Sequence, residues 1–291
     1  MSFQSMEELK EYCMDSGLSI WEVILDTDAD ERGTSKEKSI REMTRMWESM
    51  KDNLKEYDPN LMSRSGLVGT EGGLMDNYSK KEESLCGGFV SKVMTNALKM
   101  GCNNACMKRI VAAPTAGACG VLPAVLVTYF EENNISDDEM VEALYVAAGI
   151  GNVIGERAFL AGALGGCQAE IGSASAMAAG AITFIKGGTI DMILNACAMA
   201  LKNLLGLVCD PVGGLVEVPC VKRNVIGAVN ALTSADMALA GIESRIPVDQ
   251  VIDAMREVGE KMDTSLKETG TGGVAASERA RVVMKKLYSD N

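Results

Sequence analysis

Apolar positions along the chain recur every three or four residues and almost nowhere every two. Within Ser35–Tyr57, the residues Ile40, Met43, Met46, Trp47, Met50 and Leu54 fall on one stripe, which predicts an exposed amphipathic helix. Val251, Ile252, Met255 and Val258 have the same spacing in Val248–Met262, with Pro247 well suited to an early helical position. Ser136, followed by Asp137, Asp138 and Glu139, is a capping box that opens a helix through about Ala148. Gly188–Leu207 and Ala228–Ala240 read as buried helices. The pattern predicts an all-α fold.

Charge refines the picture. Residues 1–60 carry 23 charged side chains, residues 61–240 carry 28, and residues 241–291 carry 17. The apolar middle reads as the interior of a single domain spanning 1–291. In this reading residues 1–60 form an amphipathic helical flank packed on the 61–291 core. No linker, repeat or low-complexity tract divides the chain. The uncharged run Ile110–Phe130 is long enough for a membrane span, but Pro114, Gly117, Gly120 and Pro123 interrupt it, so it reads as buried interior. With 30 Gly, 19 Met and only 5 Phe, the core must be built from small and flexible side chains in close-packed helices.

A net charge of −12 excludes a nucleic-acid backbone or an anionic membrane surface as the expected partner. The acidic N-terminus MSFQSMEELKEY has no basic or apolar region of an export signal. Nine cysteines, an odd number, then point to free thiols in a reducing, cytoplasmic compartment. The chain has no histidine, which removes the usual general base and the commonest zinc ligand. Any catalysis must use carboxylate, lysine, hydroxyl, thiolate, backbone or a cofactor.

Glycine clusters at Ser65–Gly73, Pro114–Gly120, Gly165–Ser175, Pro211–Gly214 and Gly270–Gly273 read as loops converging on a small ligand, with helix connections as the plainer alternative. Among the cysteines, Cys119 and Cys197 sit among small apolar residues and read as core, Cys13 as incidental, and Cys102 and Cys106 as one helix face; Cys86 has no evident place. Cys167, Cys209 and Cys220 differ. Gly-Gly precedes the first, Asp-Pro follows the second, and Pro precedes the third, so each lies where the helical pattern breaks. Three thiolates in such settings suit an iron–sulfur cluster with one iron left open as a Lewis acid, against the alternative of buried thiols.

The segments CDPVGGLVEVPCVKRNVIGAVNA from Cys209 and GGCQAEIGSASAMAA from Gly165 resemble the iron–sulfur-dependent L-serine dehydratases, in particular the α chain of the two-subunit form. So do LMSRSGLVGTEGG at Leu61–Gly73, VAAPTAGACGVLPA at Val111–Ala124 and DTSLKETGTGGVAAS at Asp263–Ser277. The resemblance runs from about residue 5 to the C-terminus. It implies an all-α catalytic domain, a cytoplasmic setting, and conversion of L-serine to pyruvate and ammonia. It further implies a 4Fe–4S cluster held by Cys167, Cys209 and Cys220, with the fourth iron left for substrate. A separate β chain with an ACT-like regulatory domain is the implied partner, making a hetero-oligomer. Single-chain relatives end in a cysteine that reaches the cluster, whereas this chain ends in Tyr288-Ser289-Asp290-Asn291.

Dehydration of serine needs help for a poor leaving group and a base for the α-proton. Candidate bases are Ser63, Ser65, Lys267, Glu170 and Glu268, with Glu170 alternatively a brace for the Cys167 loop. Thr115, Ala116, Gly117, Ser173 and Ser175 are the expected contacts for the substrate's carboxylate and ammonium. Lys222 and Arg223 would pair with the cluster charge or the substrate carboxylate, or simply lie at the surface. Rival readings are a pyridoxal-phosphate dehydratase using Lys92 or Lys267, a cysteine desulfidase on the same cluster, and a non-catalytic helical subunit.

Overall fold

A computed structural model describes residues 3–81 and 84–289. Met1 and Ser2 of the acidic N-terminus and Asp290 and Asn291 of the C-terminal stretch lie outside it. The helices are α1 (Met6–Ser16), α2 (Ile20–Glu31), α3 (Lys36–Lys55), α4 (Glu71–Lys81), α5 (Gly87–Ala105), α6 (Val121–Glu132), α7 (Asp137–Arg157), α8 (Gly162–Gly165), α9 (Ser173–Ile185), α10 (Ile190–Lys202), α11 (Cys220–Leu239), α12 (Val248–Lys261) and α13 (Glu278–Ser289). A π turn, Gln168–Gly172, leads directly into α9. Among the described residues the only β pairing is a parallel bridge between Cys209 and Lys267. The fold is all-α, as the periodicity predicts.

Helix α9 lies at the centre, packed against α6, α7, α10 and α11. Its sequence SASAMAAGAITFI is buried from Ser173 through Thr183. Small side chains make this possible, because they let four helices approach one axis without voids. A single apolar cluster runs from Met6 in α1 to Met255 in α12. The N-terminal helices contribute Leu9, Val23, Trp47 and Met50 to it. On α3, Trp47, Met50 and Leu54 are buried, Ile40 and Met43 are half-buried, and Met46 is exposed. Cys13, expected to be incidental, is a buried member of the same cluster.

Caps act where the sequence places them. Ser136 Oγ accepts from the Glu139 amide at 3.2 Å, and Glu139 Oε2 accepts from the Ser136 amide at 2.9 Å, closing the capping box of α7. Two helices are longer than the pattern suggests. Helix α7 runs on past Ala148 to Arg157, because Gly149, Gly151 and Gly155 are packing positions rather than breaks; a Cβ at Gly151 would lie 3.0 Å from Met177 Sδ. Helix α11 begins at Cys220 rather than Ala228, and its first turns carry Lys222, Arg223 and Asn224, polar residues that interrupt the apolar pattern without interrupting the helix. The segment expected as Gly188–Leu207 is helical only over Ile190–Lys202, where Thr189 Oγ1 caps its start. Among the described residues no helix is long and apolar enough to cross a membrane.

Two substitutions test this packing. A Cβ at Gly120 would lie 2.7 Å from the Ala97 carbonyl oxygen and 2.9 Å from Asn224 Oδ1, so α5, α6 and α11 meet at the glycine surface. Gly120→Ala is expected to lower stability by about 1–3 kcal/mol, read as a lower urea midpoint. Asp137 accepts from Trp47 Nε1 and Lys51 Nζ, and the lysine bond first, then the indole, holds its carboxyl below the usual aspartate range. Asp137→Ala leaves the buried indole N–H unpaired, an expected loss of about 1–3 kcal/mol at neutral pH. Because the folded-state value is depressed, the ionic part of that loss is full above about pH 4, where unfolded aspartate ionises. It fades as pH falls through the lower folded value, so urea titrations at pH 7 and in acid should show the gap between wild type and variant narrowing.

Candidate functional site

Two cysteine-bearing loops and the start of α11 come together near the N-terminal end of α9. The first carries Cys167. Gly166 has φ 76° and ψ −178°, and a Cβ there would lie 2.7 Å from the Leu207 carbonyl oxygen, so glycine allows this close approach. Gln168 fixes the turn from the other side. Its amide donates to Leu207 O (2.9 Å), its Nε2 donates to Met255 O (3.0 Å), and its Oε1 accepts from Gly206 N (2.9 Å). The π turn that follows carries Glu170; such single π turns often occur at functional sites.

The second loop carries Cys209 in an extended segment. Its amide donates to Leu266 O at 2.8 Å, and its carbonyl accepts from Glu268 N at 2.7 Å. This pairing lays the segment DTSLKETG alongside the cysteine and brings Lys267 and Glu268 to the site's edge. The third element is Cys220, the first residue of α11. Asn224, one turn later, donates from Nδ2 to Cys220 O (3.1 Å) and Gly117 O (2.9 Å), while its Oδ1 accepts from Gly120 N (2.8 Å). The PTAGACG loop is thereby stitched to the cysteine-bearing helix.

Cys167 Sγ, Cys209 Sγ and a Glu170 carboxylate oxygen lie within 4.8 Å of one another. Cys220 is also buried but stands outside this group. Glycines make the space: a Cβ at Gly162 would lie 2.8 Å from Glu170 Oε2 and 3.0 Å from Cys209 Sγ, and one at Gly117 would lie 3.3 Å from both Glu170 oxygens. Ser173 Oγ is fully buried and has no hydrogen-bond partner among the described residues. Thr115 Oγ1 is a buried hydroxyl without a well-aligned bond, and it faces the Glu170 carboxyl.

Burial dominates the electrostatics. It raises Glu170 above the usual glutamate range, Thr115 opposing and Glu268 reinforcing it. Burial and the charge on Cys167 push the Cys220 thiol up to about 12. Cys209 is raised because its thiol donates to Cys167, with burial adding to the effect. Cys167 is lowered, first by that donated bond and then by the Arg223 guanidinium, against its own burial. A bound metal centre would displace these protons, since thiolate is the ligand form. Three buried thiols, a carboxylate and orphaned hydroxyls suit a soft, thiolate-held centre; a cluster is wider than a single ion, in keeping with Cys220 standing further off.

Other expected residues are engaged elsewhere. Ser63 Oγ donates to Glu217 Oε2 at 3.0 Å, and Ser65 Oγ donates to the same oxygen. Ser65 and the buried Glu217 line a separate cleft of about 740 Å³ with Arg64 and Arg279. Ser175 Oγ donates to Gly227 O (2.8 Å) and accepts from Asn230 Nδ2 (2.8 Å), bracing α9 on α11. Ala116 is exposed, its carbonyl accepting from Asn104 Nδ2 at 3.1 Å. Lys222 Nζ pairs with Glu71 and is half-exposed. Arg223, its neighbour, turns inward to Asp210, Val208 and Cys167. Asp210, Gln168, Glu217 and Asn224 do not emerge from sequence reasoning. The available signal was that each lies within or beside one of the cysteine-bearing segments.

The chain matches the family described as serine dehydratase alpha chain over residues 15–275. It is 42% identical over 286 residues to the probable L-serine dehydratase, alpha chain, of Bacillus subtilis (strain 168), covering 98% of this chain and 95% of that one. It is 39% identical over 290 residues to the L-serine dehydratase, alpha chain, of Peptoniphilus asaccharolyticus, covering 97% of each. Against the L-serine dehydratase of Streptomyces coelicolor it is 37% identical over 286 residues, spanning 94% of this chain and 61% of that protein. With its cysteine loops meeting at one buried site and its likeness running nearly end to end, the chain belongs to the serine dehydratase alpha chain family.

Proposed function

We propose that this chain is the catalytic α chain of an L-serine ammonia-lyase, converting L-serine to pyruvate and ammonia with a 4Fe–4S cluster held by Cys167, Cys209 and Cys220. The observation that carries this reading is the convergence of Cys167, Cys209 and Glu170 within 4.8 Å, in a chain of this family. When bound, the cluster supplies a Lewis acid at its open iron for the hydroxyl and carboxylate of serine. Residues 1–291 act as one catalytic domain. Its partner is a β chain with an ACT-like regulatory domain, a reading supported by the name alpha chain among its relatives. A cytoplasmic setting is supported by nine free cysteines.

The side chains divide the remaining work. Ser173 Oγ and Thr115 Oγ1, both short of partners, donate to the substrate carboxylate beside the backbone of Gly117. Of the two candidate carboxylates, Glu170 and Glu268, Glu170 is the one grouped with both Cys167 and Cys209, while Ser63 and Ser65 are bonded to Glu217; Glu170 takes the α-proton at its carboxylate. Its raised pKa makes it a stronger base than an exposed glutamate. The hydroxyl leaves as water with one proton. The aminoacrylate so formed tautomerises to the imine, and water hydrolyses it to pyruvate and ammonia.

Anaerobic reconstitution with iron and sulfide tests the ligand set. Cys167→Ala, Cys209→Ala and Cys220→Ala are each expected to lose the thiolate-to-iron absorbance and pyruvate formation from L-serine, while Cys197→Ala keeps both. A colourless wild type, or three variants that match Cys197→Ala, would refute it. Assays with L-serine and L-cysteine side by side decide between dehydratase and desulfidase. Glu170→Gln is expected to retain the cluster and lower kcat by about 10²–10⁴-fold. Since the raised value delays ionisation, the wild-type acid limb should lie above the ordinary glutamate range. A variant with full cluster and wild-type kcat would move the base to another group or to the partner chain.

A further inference from the structure

No step of the dehydration uses Asp210 or Arg223, yet they form a deeply buried ion pair. Arg223 Nη2 lies 2.8 Å from Asp210 Oδ1, with side-chain exposures of 14% and 2%. The other terminal nitrogen, Nη1, donates to Val208 O at 2.7 Å and points at Cys167 Sγ at 3.5 Å. The second Asp210 oxygen accepts from Val274 N at 2.6 Å, and Gly273, at φ 57°, lies so close to Asp210 that a Cβ would collide with its side chain. Asp210, the residue after Cys209, therefore joins two things: the guanidinium at Cys167 and the loop that runs from Gly270 to Val274.

A buried ion pair is costly to desolvate and contributes little net stability. Here its geometry does something specific. The guanidinium is a rigid fork that stays charged; Nη2 is drawn to the Asp210 carboxylate by charge, while Nη1, anchored on Val208 O, reaches the ligand sulfur. Hydrogen bonds and positive charge at a cluster's sulfurs favour the more negative, reduced state and so raise its potential. They also orient the ligand. We propose that Asp210 and Arg223 are positioning residues that direct an N–H···S hydrogen bond at Cys167 and thereby set the reduction potential and retention of the cluster; this rests on the reading of Cys167, Cys209 and Cys220 as its ligands. A lysine at 223 would bring charge without the fork. Removing the Asp210 charge would leave Arg223 in place but unaimed.

The test uses the full chain, reconstituted anaerobically, with two readouts: the reduction potential followed by electron paramagnetic resonance, and the rate of iron loss to a chelator. Wild type is compared with Arg223→Gln, Arg223→Lys, Asp210→Asn, and Arg256→Gln as a surface control. Arg223→Gln is expected to move to lower potential by a tenfold change in the reduction equilibrium, about 59 mV for one electron, and to lose iron several-fold faster. Asp210→Asn and Arg223→Lys should move the same way by less, and Arg256→Gln should match wild type. If Arg223→Gln folds by circular dichroism but takes up no cluster, Asp210→Asn and Arg223→Lys decide: shifted values support the proposal, and wild-type values overturn it. A wild type that takes up no cluster overturns the ligand reading and this proposal together. One that takes it up, with Arg223→Gln and Asp210→Asn at its potential and loss rate, overturns the proposal alone.

Discussion

Bringing thiols and a carboxylate together inside an apolar helical core is the constraint that the rest of this structure serves. Left uncompensated, such groups resist ionisation and repel one another once ionised. Three compensations are visible. The Cys209 thiol keeps its proton and turns it toward Cys167, Arg223 faces the Cys167 sulfur, and Thr115 faces Glu170. The remaining oxygen of Asp210 is satisfied by the Val274 amide, which anchors the loop closing that side. The site is thus assembled by partners drawn from four separate stretches of chain, and each is held by backbone bonds before any cofactor enters.

The unusual composition follows from the same constraint. Bulky side chains around α9 would hold its neighbours too far apart for loops on different helices to meet at its N-terminal end. Alanine, serine and glycine remove that bulk, and methionine fills the irregular gaps left between helices. Gly162 and Gly117 flank Glu170, while Gly166 and Gly120 let backbone pass close to backbone. The glycine clusters are therefore of two kinds, some giving room to the site and some giving contact between helices, and the two alternate along the same loops.

A second polar constellation gathers around Glu217, three residues before Cys220. Glu217 gathers Ser63 and Ser65, and Lys222 ties α11 to Glu71 at the start of α4. Hydroxyls that bond a buried carboxylate are well placed to order the loop Leu61–Gly73. That role separates them from Glu170, although both groups sit in glycine-rich segments of the same character. Ser175 and Ser173 part in a similar way, two residues apart on one helix: the first is bonded between helices, the second has a buried hydroxyl unpaired among the described residues.

The sequence by itself determined the all-α class, the amphipathic flank and the capped start of α7, and it singled out Cys167, Cys209 and Cys220 as lying where the helical pattern breaks. Those features are local: periodicity, caps and helix-breaking neighbours are written within a few residues of one another. It could not determine that α11 begins at Cys220, since Lys222, Arg223 and Asn224 look like a break until their partners on other loops are known. Nor could it separate Arg223 from Lys222, adjacent residues of equal charge, one turned to the buried Asp210 and the other to Glu71 near the surface. Which of several hydroxyls and carboxylates stands beside Cys167 was decided only by tertiary packing. The reason is physical: burial, desolvation and hydrogen-bond partnership are properties of where distant segments meet, and no spacing along the chain encodes them.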